Sequence, residues 1–285
     1  MSTEASTEYF TLHVGNSIFS ENNSRMSLPI DGGYDVTNKR LALVQLNIPF
    51  SWRNITAAFG NNSFAYVLGA TTFPVNIPDG NYSVSELNQF LQFTMKANGH
   101  YLVDTNAIEQ YYVSFQINAV YYRTTFTMTT VPAVLPGGWT DPNPGAGSII
   151  TLSASNTPQL TFAGPSGTAF GEVLGQSPAT IPAITTSTIQ VNGDLVPNVA
   201  VISVVQIAVP SLINNSAAND SMVYFISPTR YAYGSYIFED ITSLDFYHVN
   251  GANFINSLDI IFLDQLQRPV SLLDTDCTLK FKFES

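Results

Sequence analysis

The sequence predicts an all-β protein built on a sandwich of sheets, and three observations lead to that prediction. The β-branched and aromatic residues that suit a pleated, half-buried surface are abundant along the 285 residues. Apolar and polar residues alternate in many short runs, and turn residues separate most of these runs. Hydrophobic residues make up 45% of the chain and charged residues only 11%, so a substantial core can be buried.

The alternation is clear from the N-terminus onwards. Phe10, Leu12 and Val14 alternate with Thr11 and His13, and residues 42–48 form a second run of this kind. Turns are predicted at residues 31–33, 78–81 and 250–251, where Gly, Pro, Asp and Asn gather. The other predicted strands cover residues 64–68, 73–77, 100–103, 111–119, 121–131, 199–209, 222–227, 235–238, 244–249, 258–263 and 278–283.

One amphipathic helix is predicted over residues 84–97. Ser83 is a good N-cap, and Glu86 three residues later completes a capping box. Apolar side chains repeat at helical spacing until Asn98 and Gly99 end the helix, which we expect to lie against a sheet. The residues at this spacing are Leu87, Phe90, Leu91, Thr94 and Met95. A weaker helical turn is predicted over residues 169–174, between Gly167 and Gly175.

The composition changes along the chain and suggests a division. Residues 1–9 are rich in Ser, Thr and Glu, and we expect a flexible N-terminal arm there. Residues 132–197 are rich in Pro, Gly, Ser and Thr and are predicted to be a loop-rich insertion. The sandwich core is then expected to comprise residues 10–131 and 198–285.

Charge, hydropathy and cysteine content exclude several classes of function. Ten Lys and Arg against 21 Asp and Glu give a net charge of −11, so no dense basic face for strong nucleic-acid binding is expected. The most apolar stretch, residues 199–209, contains Ser203 and Gln206 and is much shorter than the roughly 20 residues of a membrane span, so none is predicted. The single cysteine, Cys277, excludes an internal disulfide and fits synthesis in a reducing compartment.

The titratable residues that could support catalysis are scattered. His13, His100 and His248 lie far apart in sequence without zinc-ligand spacing, and a surface or cross-strand role is expected for His13 and His248. Cys277 has acidic neighbours that do not activate a thiol, so we expect a buried structural residue.

Two further segments superficially resemble ligand sites. Residues 164–168 are similar to a phosphate loop but lack its lysine, and are predicted to be a turn. Four aspartates of the C-terminal part do not follow the spacing of a calcium loop. They are Asp240, Asp245, Asp274 and Asp276. The sequence therefore predicts no catalytic residues, no cofactor-binding residues, no metal ligands and no enzyme activity.

The surface composition favours protein contacts. With so few charged residues, the exterior must be formed largely by Asn, Ser, Thr and Tyr. These side chains cost less to desolvate than Lys or Glu and make directional hydrogen bonds. Such a surface suits a protein that packs against other proteins.

Three segments resemble one known family. Residues 73–88, FPVNIPDGNYSVSELN, resemble the strand, turn and helix start of the penton (minor capsid) proteins of virophages and Polinton-like viruses. Residues 170–175, FGEVLG, are similar to a short Leu-Gly motif of these proteins. Residues 258–283, with Asp264, Pro269 and Asp274, resemble their closing hairpins.

The resemblance implies a single jelly roll of two four-stranded sheets. It also implies that five copies form the vertex capsomer of an icosahedral virion, surrounded by trimers of a double jelly-roll major capsid protein and made in the host cytoplasm. The alternative is a jelly-roll lectin or the receptor-binding head of a viral fibre. Tyr231, Tyr233 and Tyr236 are the candidates for stacking on sugars in that alternative.

Overall fold

The computed structural model describes residues 7–13, 15–153, 155–183, 187–210, 212–213, 222–249 and 254–285, and most regular structure in these ranges is antiparallel β-strand. The strands are β1 Thr7–His13, β2 Ile18–Ser20, β3 Arg25–Asp35, β4 Arg40–Pro49, β5 Ser63–Leu68, β6 Thr71–Asn76, β7 Leu102–Val103, β8 Glu109–Gln110, β9 Val113–Asn118, β10 Arg123–Met128, β11 Gln159–Thr161, β12 Thr180–Ile181, β13 Ile189–Asn192, β14 Val205–Ala208, β15 Leu212–Ile213, β16 Met222–Ile226, β17 Tyr236–Asp240, β18 Tyr247–Val249, β19 Phe254–Asp264 and β20 Thr278–Glu284. The helices are α1 Val84–Ala97, α2 Ile149–Ser153 and α3 Gly164–Leu174, with 3-10 turns at Ala57–Phe59 and Pro228–Arg230. The all-β prediction is confirmed.

Two compact units share the chain, and the boundaries between them lie after Trp52 and after Val201. The first unit holds β1–β4 and β14–β20, and the second is inserted between these two sets in sequence. One sheet of the first unit has the order β1-β20-β4-β18-β15, with β17 also paired to β4, and the other has the order β16-β14-β19-β3-β2.

The strand order of the first unit is that of a jelly roll. Eight successive positions along the chain are occupied by β1, β3, β4, β14, β16, the pair β17 and β18, β19, and β20. In that count, one sheet contains positions 1-8-3-6 and the other contains positions 2-7-4-5. This is the double Greek-key arrangement of a two-sheet jelly roll.

The two sheets of this unit pack face to face through aromatic rings. Phe10 on β1 and Phe283 on β20 belong to one sheet, and Tyr34 on β3 belongs to the other. The ring centroid of Tyr34 lies 4.7 Å from that of Phe10 and 5.1 Å from that of Phe283, in edge-to-face geometry. Every second residue of β20, at Leu279, Phe281 and Phe283, is buried, as the period of two requires.

The second unit has its own core. Its sheets have the orders β12-β11-β5-β6 and β13-β10-β9, and α1 and α3 pack on β9 and β5. Phe64 on β5 stacks on Phe170 of α3 with ring centroids 4.5 Å apart. Phe162 and Leu87 of α1 are fully buried in the same cluster.

The insertion is larger than the composition suggested. The predicted insertion was residues 132–197, whereas the second compact unit is Arg53–Val201. Strands at residues 63–128 belong to it because they pair with later strands of the unit, as Tyr66 does with Leu160 and Phe126 with Val191. The Pro- and Gly-rich region contributes buried residues such as Phe162 and Phe170 to the core, so it is more ordered than a loop.

The N-terminal arm also needs correction. Residues 1–6 of the predicted arm lie outside the described residues, as does Val14. Thr7, Glu8 and Tyr9 form the start of β1, where Thr7 pairs with Glu284. These three residues are therefore held in the ladder with β20 and are not a flexible arm.

Two predicted turns are parts of longer elements, and a third is not described. Gly32 and Gly33 lie inside β3 with φ of 77° and 74°, where the pairing with β19 shifts register, so a local irregularity replaces the turn. Residues 164–168 form the beginning of α3, because Pro165 stands in its first turn and Gly167 allows close contact with the backbone of Phe162. The turn predicted at residues 250–251 lies outside the described residues.

The helix prediction is confirmed in detail. α1 spans Val84–Ala97, and Ser83 and Glu86 form the capping box. Its buried face consists of Val84, Leu87, Leu91 and Met95. The helix is 14 residues long, and no helix in the described part of the chain is long and apolar enough to span a membrane.

Candidate functional site

The three histidines lie in different surroundings. His13 on β1 and His248 on β18 are exposed, as predicted. His100 follows α1 and is only 3% exposed. Burial lowers the pKa of His100, because the charged imidazolium is poorly solvated there.

His100 belongs to a short hydrogen-bond chain within the second unit. The amide of Asn98 donates to the Tyr66 hydroxyl at 2.8 Å, and the Tyr66 oxygen lies 2.7 Å from His100 Nδ1. The ring of Phe73 meets the imidazole edge-on with centroids 4.4 Å apart. The Tyr66 hydroxyl can donate to Nδ1 of a neutral imidazole while it accepts from Asn98, and these contacts describe a structural role.

The other candidates for chemistry do not come together. Cys277 is fully buried, and burial raises the pKa of its thiol. Asp276 accepts a hydrogen bond from the Tyr236 hydroxyl at 2.8 Å, and Asp274 accepts one from the backbone of Asp276. Within the described ranges, no three His, Cys, Asp or Glu side chains are grouped so that they could hold a metal ion.

The tyrosines of the lectin alternative have separate partners. The Tyr231 hydroxyl donates to Glu239 at 2.8 Å, and the Tyr236 hydroxyl donates to Asp276. The Tyr233 ring packs edge-on against Phe50 with centroids 5.5 Å apart. Only Tyr236 lies on a strand, so the predicted strand alternation of the three does not occur.

The surface of the second unit includes an exposed apolar tip, which we call the β9–β10 tip, residues 119–122. Val120, Tyr121 and Tyr122 are 85%, 66% and 75% exposed. A cavity of about 360 Å³ opens beside them. Its lining is apolar and comprises Ile117, Ala119, Tyr122, Pro197, Val199 and Ala200. Exposed apolar groups gathered in this way are typical of protein contacts.

A more polar cavity of about 520 Å³ lies between the start of α1 and the edge of β9. Ser83, Ser85 and Asn88 line it from the helix, and Gln116 lines it from the strand. The Asn88 side chain accepts a hydrogen bond from the backbone N–H of Phe115 at 2.8 Å. It thereby covers one of the donors that an edge strand leaves unpaired.

The first sheet of the jelly roll has an outer face with exposed aromatic side chains. Tyr9 on β1 is 56% exposed, and Tyr236 and Phe238 on β17 are 44% and 55% exposed. Polar residues of β4 and β20 lie between these strands, including Asn47, which is opposite Phe238 in the register. Exposed aromatic side chains are enriched at protein interfaces.

Sequence reasoning predicted a low-charge contact surface but did not place it. The strands predicted at residues 111–119 and 121–131 include Ala119, Tyr121 and Tyr122, with Val120 between them, although four apolar or aromatic residues in a row at a hairpin tip are a usable signal. The outer face of the first sheet could not be found in this way, because its residues come from both ends of the sequence.

Two solved structures that resemble the chain come from virophages. One is the penton protein of mavirus, with a TM-score of 0.44 and 9% sequence identity over 99% of each chain. The other is a chain of the Sputnik virophage, with a TM-score of 0.38 and 14% identity over 97% of each chain. No protein-family model and no curated protein matches this sequence.

Proposed function

We propose that this chain is a structural minor capsid protein whose copies form the pentameric vertex capsomer of an icosahedral virion. The observation that carries the proposal is the strand order of the first unit, 1-8-3-6 and 2-7-4-5, which is that of a single jelly roll. The three sequence segments that resemble virophage pentons support the same function.

The surfaces fit a role in assembly. A closed ring of identical copies uses two different patches on each copy, so that one patch meets the other on the neighbour. Exposed aromatic side chains occur on the outer face of the first sheet and at the β9–β10 tip. The β9–β10 tip contains no charged side chain, which keeps the desolvation cost of that contact small.

The partners follow from this proposal. The chain binds copies of itself in a homopentamer and the double jelly-roll major capsid protein around the vertex. It works through contacts and not through catalysis, and its location is the capsid vertex, after synthesis in the host cytoplasm.

The test is the position and symmetry of the chain in an assembled particle. We expect density for this chain at the fivefold vertices, and an isolated capsomer of about 155 kDa, which is five chains of 31.0 kDa. A trimer, or a position outside the fivefold vertices, would reject the proposal in favour of the fibre-head alternative. A monomer in dilute solution would not reject the proposal, because the surrounding capsomers supply part of the contact area in the particle.

A further inference from the structure

Two lysines stand side by side on the outer face of the jelly roll. Lys280 and Lys282 alternate with buried residues of β20, so both point away from the core. In the register of the sheet, Lys280 lies opposite Thr11 and Gln45, and Lys282 lies opposite Tyr9. The two ammonium groups therefore share the centre of one sheet face.

Within the described ranges, these lysines do not form the ion pairs that most other cations form. Arg25, Lys39 and Lys96 each have a carboxylate within 3.3 Å. Among the described residues, no carboxylate lies within 4.0 Å of Lys280 or Lys282. In a chain with twice as many acids as bases, two neighbouring lysines therefore have no counter-ion within 4.0 Å in the part of the chain that the structure describes.

Aromatic rings hold these cations in place instead. The Nζ of Lys280 lies 4.8 Å from the ring centroid of Tyr9. Lys282 and Arg40 lie over the ring of Phe246, each 5.3 Å from its centroid. We call these five residues the lysine face. Contacts with aromatic rings orient a cation without neutralising it, so the face keeps a positive potential.

The fold itself does not explain this arrangement. Side chains two apart on one strand are separated by roughly 7 Å, at which distance like charges repel. Two carboxylates near this face are Glu284, which is 3.9 Å from Arg40, and Asp240, which lies two strands from Lys280 in the register. Lys280, Lys282 and Arg40 outnumber these two carboxylates, on a molecule whose net charge is −11.

We infer that the lysine face binds an acidic surface of a second copy of this chain. The inference rests on the proposed function and names the surface through which neighbouring copies meet. A second copy is the partner that charge complementarity favours, because the rest of the molecule is strongly acidic. Two copies attract each other where the lysine face of one meets an acidic surface of the other. Exposed Tyr9 adds an aromatic side chain to the contact.

Nucleic acid fits the face less well. Three cations cannot neutralise a run of phosphates, and the net charge of the chain repels a polyanion. A neighbouring copy presents separate carboxylates, which two lysines and one arginine can match.

The first experiment compares self-association of charge variants by sedimentation velocity over a range of protein concentrations. We expect Lys280→Gln with Lys282→Gln to weaken association at least tenfold, and Lys280→Arg with Lys282→Arg to preserve it. The matched control is Lys96→Gln with Arg230→Gln, which removes the same charge from other exposed positions and should leave association unchanged. Association of the wild type should weaken between about 50 mM and about 500 mM salt, since screening shortens the reach of the charges.

The second experiment uses the wild-type protein and does not depend on a variant that folds. A carbodiimide joins an amine directly to a carboxylate that contacts it. In a mixture of light and heavy isotope-labelled chains, we expect mixed-label cross-links from Lys280 or Lys282 to Asp or Glu, and none from Lys96 to another copy.

The outcomes separate this inference from the proposed function. A pentamer that persists in the Gln variant and lacks these cross-links overturns the inference and leaves the proposed function standing. A wild type that stays monomeric at every concentration also overturns the inference, while the vertex position remains the test of function. If the wild type binds single-stranded DNA and the Gln variant does not, the face is assigned to nucleic acid. That result would also overturn the inference.

Discussion

The hydroxyl of Tyr66 lies 2.7 Å from Nδ1 of His100, and both side chains are buried in the core of the second unit. Burial raises the pKa of Tyr66 to about 12 and lowers that of His100 from its ordinary value of 6.5. Near neutral pH the hydroxyl is therefore a donor and the imidazole an acceptor. Protonation of His100 would place a second donor against Tyr66, whose oxygen already accepts from Asn98.

The first prediction is that acid destabilises the protein through His100. Its pKa is lower in the folded state, so the unfolded state binds more protons as the pH falls below 6.5. The contribution of His100 to the free energy of unfolding is fully present above pH 6.5, and it is lost as the pH falls through the pKa that His100 has in the folded state. Urea unfolding at about pH 7.5 and about pH 5.5 should show a smaller loss for His100→Asn than for the wild type. An equal loss in both proteins would contradict this role, and His248→Asn is the exposed control.

The second prediction concerns the same hydrogen bond at constant pH. Tyr66→Phe removes the hydroxyl and leaves His100 Nδ1 buried without its donor. The free energy of unfolding should fall by about 1–3 kcal/mol, the usual cost of an unsatisfied buried group. Chemical denaturation near neutral pH measures it, and Tyr121→Phe at the exposed tip should change little. A neutral result for Tyr66→Phe would show that the pair adds nothing to stability.

The third prediction compares the two ways in which α1 is stabilised. Ser83→Ala removes the cap and should cost about 0.5–2 kcal/mol. Leu87→Ala should cost about 2–5 kcal/mol, because it leaves a cavity at a fully buried position. Gln89→Ala on the exposed face is the control. Thermal and urea unfolding rank the three variants by loss of stability. A larger loss for Ser83→Ala than for Leu87→Ala would contradict the packing of this helix.

The fourth prediction concerns Asn54, which is 3% exposed although it begins an Asn-x-Thr sequon. Its amide donates to the carbonyls of Tyr82 and Val199 at 2.7 and 2.8 Å, and its oxygen accepts from the Tyr82 N–H. Asn54→Ala leaves buried backbone groups unpaired and should cost at least about 2 kcal/mol. Exposed Asn106→Ala should be nearly neutral.

Glycan analysis gives an independent check on Asn54. When the protein is made in a glycosylating host, mass spectrometry should find no glycan there, since the folded chain hides the side chain. A stable Asn54→Ala variant, or a glycan at Asn54 in folded protein, would contradict the buried network.

The fifth prediction is that Cys277 is unreactive in the native protein. It is fully buried, and its raised pKa keeps the thiol protonated. A thiol reagent such as Ellman's reagent should modify one group per chain in denaturant and almost none in buffer. Rapid modification of the folded protein would show that the C-terminal strand opens readily.

Local sequence signals determined the parts of the fold that depend on near neighbours. Ser83, Glu86 and Gly99 predicted α1, because capping and termination act over three or four residues. The strand-like run at residues 278–283 predicted β20, in which Leu279, Phe281 and Phe283 form the buried face, since a strand with one buried face repeats every two residues. The same alternation elsewhere predicted the all-β class.

Features that depend on distant pairing were decided only by the tertiary structure. The second unit begins at Arg53 because strands such as β5 pair with β11, about a hundred residues later, and no local pattern records such a partner. The glycines of α3 suggested a turn, yet Gly167 and Gly171 are required where the helix touches Phe162. Tertiary packing outweighs weak helix propensity at such a contact.

The surfaces show the same division. Composition by itself determined that the protein is acidic overall, low in charged residues, and able to form a β-rich core. Only the folded chain brings Tyr9 beside Lys282 and places Phe246 beneath Lys282 and Arg40. Residues from positions 9 to 282 meet there because β1, β4 and β20 are neighbours in one sheet, and strand order is set by long-range packing that the local sequence does not encode.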